Sequence, residues 1–121
     1  MTIRVLIVDD AAFVRDMLCE LLIDVGFDVV GVAVDGKEAL EKYRRLKPDV
    51  VLMDIIMPGV TGLDALKSII EMDPGAKVVM VSAVGQEAMI KEALAAGARE
   101  FVVKPFTPER AIEVLEKVYA G

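Results

Sequence analysis

Short β-branched runs alternate along this chain with segments whose apolar residues recur every three or four positions. Ile3-Arg4-Val5-Leu6-Ile7-Val8 is too brief for a helix and too uniformly apolar for a strand with one wet face. Such runs fit strands buried on both sides of a parallel sheet. Phe13, Met17, Leu21 and Val25 then follow at intervals of four, with Val14, Leu18 and Leu22 beside them, which predicts an amphipathic helix. Gly26 falls where a left-handed C-terminal cap is wanted.

The couplet recurs down the chain. Val29-Val30-Gly31-Val32-Ala33 reads as a second strand, and Asp35 with Glu38 makes a capping-box-like start for a helix through Leu46. Pro48 interrupts before a third strand, Val50-Val51-Leu52-Met53. Thr61 and Asp64 open a helix carrying Leu63, Leu66, Ile69 and Ile70, and Asp73-Pro74-Gly75 is a turn. Val78-Val79-Met80-Val81 is a fourth strand, followed by a helix from Gln86 to Ala96 that stops at Gly97. Phe101-Val102-Val103 is the fifth, and Thr107 as N-cap with Pro108 starts a last helix that turns Ile112, Leu115 and Val118 inward. Strands alternating with helices over short connections, joined by right-handed crossovers, predict an open, parallel, doubly wound (βα)5 sheet.

Composition narrows what such a domain can do. The 121 residues are 55% hydrophobic and 28% charged, one globular domain spanning 1–121 with a real core. A net charge of −6, with no basic run longer than Arg44-Arg45, disfavours nucleic acid as a partner. With no His, the chain has no Ser-His-Asp catalysis, His-ligated zinc or phosphohistidine of its own. Its single Cys, Cys19, cannot form an internal disulfide; it falls on the polar side of the first helix and reads as an incidental thiol. Met17, Met53, Met57 and Met80 read as core filler. The longest uncharged stretches hold nine residues, whereas a membrane-spanning helix needs about 20. A soluble, cytoplasmic domain without membrane insertion is expected.

In doubly wound sheets ligands bind beyond the carboxyl ends of the strands. The first strand ends in Asp9-Asp10, the third in Asp54, the fourth in Ser82 and the fifth in Lys104-Pro105. Asp35, after the second, reads as plain helix capping. Each polar end has a bland explanation by itself, as a cap or a solvated charge. Four of them at one edge favour a site. Carboxylates so close repel and raise one another's pKa unless a cation joins them, and Lys104 supplies a single charge. Hard oxygen ligands without His or Cys suit magnesium. With a lysine and a hydroxyl alongside, the set can hold a phosphoryl group. Neither a complete Gly-x-x-x-x-Gly-Lys-Ser/Thr loop nor a Gly-x-Gly-x-x-Gly is present, so nucleotide binding is not indicated.

Val8-Asp9-Asp10, Asp54 within Leu52-Met53-Asp54-Ile55-Ile56-Met57-Pro58-Gly59, Ser82-Ala83 and Lys104-Pro105-Phe106 together resemble the receiver domain of bacterial two-component response regulators. The resemblance covers the whole chain in order and spacing. It implies the flavodoxin-like version of the fold and a role for each position. Asp54 would accept a phosphoryl group from the phosphohistidine of a sensor histidine kinase. Asp10 would bind Mg2+ directly and Asp9 mostly through water, with Asp54 and the Ile56 backbone carbonyl completing the protein ligands. Lys104 would pair with one phosphoryl oxygen and Ser82 would move its hydroxyl onto another. Phe101 occupies the family's aromatic switch position, and the Lys104-Pro105 bond would be cis. Ile56 and Val84 stand where the family tunes water access to the phosphoryl group, and both are apolar here; the alternative is that they pack together.

The fifth helix ends at Gly121, so a receiver acting alone, by presenting a surface, is expected. Ile90, Leu94 and Phe106 map to the family's output face, with Ile90 and Phe106 the residues expected to stand exposed and Val103 less so. Asp9-Asp10-Ala11-Ala12-Phe13-Val14-Arg15 and Ser82-Ala83-Val84-Gly85-Gln86-Glu87 are similar to the chemotaxis regulators of this family. That implies a downstream output protein such as a flagellar motor switch, and a phosphatase. A receiver from a methylesterase or a transcription factor would look alike over these residues. A phosphohydrolase of the haloacid dehalogenase type would need a second Asp where Ile56 stands. A flavodoxin-like cofactor carrier would need a hydroxyl- and glycine-rich loop where Asp9-Asp10-Ala11-Ala12 would repel phosphate. A degenerate, unphosphorylated receiver would lack an acidic residue or the lysine.

Overall fold

The computed structural model describes residues 2–121. In chain order the elements are β1 Arg4–Val8, α1 Ala12–Asp24, β2 Asp28–Ala33, α2 Gly36–Leu46, β3 Val50–Asp54, α3 Gly62–Met72, β4 Val78–Ala83, α4 Glu87–Ala95, β5 Glu100–Lys104 and α5 Pro108–Ala120. All strand pairs are parallel, in the order β2-β1-β3-β4-β5. The chain reverses direction across the sheet between β1 and β3, so the loops after these two strands face each other over a crevice.

The alternation along each strand builds two cores. Leu6, Val8, Val51, Met53, Val78 and Met80 point to one face, where α2, α3 and α4 cover them with Ala39, Tyr43, Leu66, Ile69 and Ala93. Val5, Ile7, Val50, Leu52, Val79, Val81 and Val102 point to the other, under Leu18 and Leu22 of α1 and Val114, Leu115 and Val118 of α5. Burying one such aliphatic side chain is worth about 1.5–3 kcal/mol. The helix ends follow local chemistry. Asp35, Thr61 and Thr107 each accept from the backbone N–H three residues on. At the end of α1, Phe27 N–H donates to Leu22 O and Gly26 N–H to Ile23 O, with Gly26 at φ 97°. That is a Schellman stop of the kind Gly26 promised.

The rotation of α1 differs from expectation. Leu18 and Leu22 are the buried positions, with Val14, Cys19 and Leu21 half-buried, while Phe13 is 79% exposed and Met17 and Val25 also face solvent. Two apolar stripes lie side by side on this helix, and packing on the sheet selects the one through Leu18. Cys19 consequently leans toward the core instead of the polar side, and burial first, then the Asp16 carboxylate, pushes its thiol pKa up. Met17 is likewise no core filler, unlike Met53, Met57 and Met80. Gly31 to Lys37 spells Gly-x-x-x-x-Gly-Lys. Gly31 lies inside β2, Asp35 caps α2, and Glu38 stands where a magnesium-binding Ser/Thr would be needed, so no phosphate loop forms. Among the described residues, no helix is long and apolar enough to cross a membrane.

Candidate functional site

The carboxyl ends of β1, β3 and β5 converge as their parallel register requires. Carboxylate oxygens of Asp9, Asp10 and Asp54 all lie within 4.8 Å of one another. Lys104 Nζ donates to Asp54 Oδ2 at 3.1 Å and to Asp9 Oδ2 at 3.2 Å. Asp9 is 2% exposed, Asp54 half-buried and Asp10 exposed, so the cluster grades from the sheet end into solvent. Ile56 N–H donates to Asp54 Oδ1 at 3.1 Å, folding the loop after β3 back over the carboxylate. The Lys104–Pro105 bond is cis. Ser82 lies one strand over, in β4, at 2% exposure, and its register partner on β5 is Val103.

Charge sets the chemistry of this cluster. Burial raises the Asp54 pKa, against the opposing pull of the Ile56 N–H and of Lys104. For Lys104, burial works against the ammonium, but the hydrogen bond and charge of Asp54 and the charge of Asp9 outweigh it and hold its pKa up. One ammonium facing three carboxylates leaves the site short of positive charge. An all-oxygen, carboxylate-rich donor set at a solvent-accessible strand end fits magnesium, which keeps several waters and takes one or two carboxylates. Ile56 and Val84 both face solvent instead of packing into the core, Val84 almost wholly so.

The expected output residues divide. Ile90, expected on the surface, is 7% exposed and belongs to the core under α4. It points at the sheet with Ala93, three residues on, so exposure passes to Leu94 and Val103. These line an apolar groove of about 320 Å3 between α4 and β5, with Ser82, Lys91, Ile90 and Phe101. Phe101 is half-buried against the same core. Phe106 is half-buried too, packed on the opposite core with α1 and α5, and it lines a second groove with Val14, Met17 and Pro105.

Gly62 was not visible as a site residue. A Cβ built there would stand 1.8 Å from the Asp54 carbonyl oxygen and 2.9 Å from Ile55 Cα. The first turn of α3 thus rests directly on the backbone that presents Asp54. Only tertiary contact reveals this, since Gly at the start of a helix reads as an ordinary boundary. Gly62→Ala must push β3 and α3 apart, and should lower stability by about 3 kcal/mol, toward the upper end of overpacking costs. A urea midpoint within error of the wild type would show that the two backbones separate freely.

A model of the response regulator receiver domain matches residues 5–116. The chemotaxis protein CheY of Thermotoga maritima is 56% identical over 115 residues, covering 95% of this chain and 96% of the relative. CheY of Bacillus subtilis is 48% identical, covering 94% and 95%. Among solved structures, the CheX–CheY–BeF3–magnesium complex of Borrelia burgdorferi aligns with a TM-score of 0.92 at 37% identity, over 97% of this chain and 89% of that one. The chain belongs to the response regulator receiver family. Within it the chain is CheY-like, a signalling receiver domain.

Proposed function

We propose that Asp54 accepts a phosphoryl group from the phosphohistidine of a sensor histidine kinase, and that the aspartyl phosphate switches a protein-binding surface in a chemotaxis pathway. The observation that carries this reading is the convergence of Asp9, Asp10 and Asp54 with Lys104 bridging two of them. An Asp54 oxygen bonds to phosphorus as the phosphorus–nitrogen bond of the donor breaks, and the imidazole leaves with the electron pair. Lys104, already at hydrogen-bond distance from Asp54, is placed to pair with an oxygen of the incoming group. Asp9, Asp10, Asp54 and the Ile56 carbonyl are the residues that would hold Mg2+. Bound there, it would neutralise the charge that three carboxylates and a phosphoryl group otherwise set against each other. The chain would promote its own phosphorylation and dephosphorylation in this way.

The groove beside Leu94, Phe101 and Val103 is the surface we assign to the output protein, with a flagellar motor switch component as the expected target. A separate phosphatase would end the signal. The whole reading is tested with acetyl phosphate as donor. Intact-protein mass should rise by one phosphoryl group in magnesium, and not when the metal is chelated. No adduct at any magnesium concentration would overturn it.

A further inference from the structure

Asp9 has every polar atom engaged. Its N–H donates to Ala33 O at 3.1 Å. Its Oδ1 accepts from Ala11 N–H at 2.9 Å, and its Oδ2 from Lys104 Nζ at 3.2 Å. Its carbonyl oxygen accepts from Arg15 Nη1 at 2.8 Å. Asp10, the next residue, is the contrast. It is exposed, and among the described residues no hydrogen bond reaches its carboxylate. Yet its oxygen lies in the same cluster as those of Asp9 and Asp54.

What holds Asp10 there is backbone. The peptide unit from the Asp9 carbonyl to the Asp10 Cα is planar, so gripping the Asp9 oxygen fixes the plane from which Asp10 departs. Arg15 makes that grip. It sits in the first turn of α1, its own N–H bonded to Ala11 O at 3.0 Å, and its half-buried side chain reaches back six residues along the chain. The bond is charge-assisted, since the guanidinium donor carries a permanent positive charge. We propose that Arg15 is a positioning residue, holding the Asp9–Asp10 peptide so that Asp10 is preset for the divalent cation. This inference rests on the magnesium reading of the site. Groups that orient metal ligands without touching the metal commonly matter about 10- to 100-fold in affinity.

The test reads metal binding without phosphorylation. Magnesium alone is titrated into unphosphorylated protein and amide chemical shifts around Asp10 and Asp54 are followed, for wild type, Arg15→Met and Arg15→Lys. Arg15→Met keeps the apolar stem and loses both donor and charge, and should bind magnesium about tenfold more weakly. Arg15→Lys restores charge and one donor without the planar fork, and should recover part of that loss. Thermal unfolding of all three in metal-free buffer confirms that folded proteins are compared. In acetyl phosphate reactions the Arg15→Met defect should appear as a raised magnesium midpoint that saturating metal overcomes. Wild-type affinity in Arg15→Met would overturn the role of Arg15 while leaving the metal reading in place. Arg15→Lys no better than Arg15→Met would overturn it too, by showing that the residue acts through packing. A wild type that takes up no magnesium would instead overturn the metal reading, and this inference with it.

Discussion

Asp54→Asn should take up no phosphoryl group from acetyl phosphate under conditions in which the wild type is expected to gain one. The amide keeps the shape of the carboxylate, and its one oxygen can still accept from Ile56 N–H, while its NH2 takes the Oδ2 position and leaves Lys104 to Asp9. It lacks the anionic oxygen that the proposed transfer requires, and the loss of acceptance should therefore be complete and not partial. A second consequence follows from burial. The folded protein holds the Asp54 pKa above its ordinary value, chiefly by desolvation. A carboxyl with a raised folded pKa stays protonated longer in the folded chain than in the unfolded one. Its contribution to stability is present in acid and falls away as pH rises from the unfolded value, about 4, through the raised folded value. Asp54→Asn removes that fall, and Lys104 still has Asp9 as a partner. In metal-free buffer the variant should therefore match the wild type in urea midpoint near pH 4 and exceed it at pH 7. A mass adduct on Asp54→Asn would move the acceptor to another carboxylate. A variant less stable at pH 7 than the wild type would show that the Lys104 pairing outweighs the burial of Asp54.

The strands and the edge that carries these residues were legible because their signals are local. A buried parallel strand needs an unbroken apolar run, and the residue that ends the run is named by the sequence itself. Asp9, Asp10, Asp54 and Lys104 are thus brought to one edge by the order of strand ends alone, and the fold gathers them there. What could not be read depends on neighbours far along the chain. Phe13 and Leu18 are equally apolar, and only the seating of α1 on the sheet puts one in solvent and the other in the core. Ile90 shares the helical spacing of a surface patch, but α4 turns it onto the sheet. Gly62 is needed because β3 passes under it, and Arg15 looks like any solvated helix arginine until its contact with the Asp9 carbonyl is seen. The chemistry of the site was therefore clearer than its mechanical support.

Ser82→Ala should bind beryllofluoride, a phosphoryl mimic, with magnesium but fail to pass the change on to the groove between α4 and β5. Ser82 stands at the head of that groove, buried in β4, and Phe101 and Val103 on the neighbouring strand line it below. The groove holds about 320 Å3 of space beside a half-buried Phe101, room for the ring to turn inward if Ser82 and its loop move toward the phosphoryl group. Only a differential interaction of about 1–3 kcal/mol is needed to shift two such states, which a charge-assisted hydrogen bond from the hydroxyl can supply. In the wild type, amide shifts on adding beryllofluoride should spread from Asp54 and Ser82 through Phe101 to Leu94 and Val103. In Ser82→Ala they should stop near Asp54, because the methyl group fills the same place and has no hydroxyl to donate. Phe101→Ala should bind the mimic normally and leave the groove unresponsive; its loss of core contacts is separated from the switch by comparing urea midpoints. Shifts that reach Phe101 and Leu94 undiminished in Ser82→Ala would mean that the signal leaves Asp54 by another route, with the loop after β3, anchored to α2 through the Gly36 N–H bond to Val60 O, as the next path to examine.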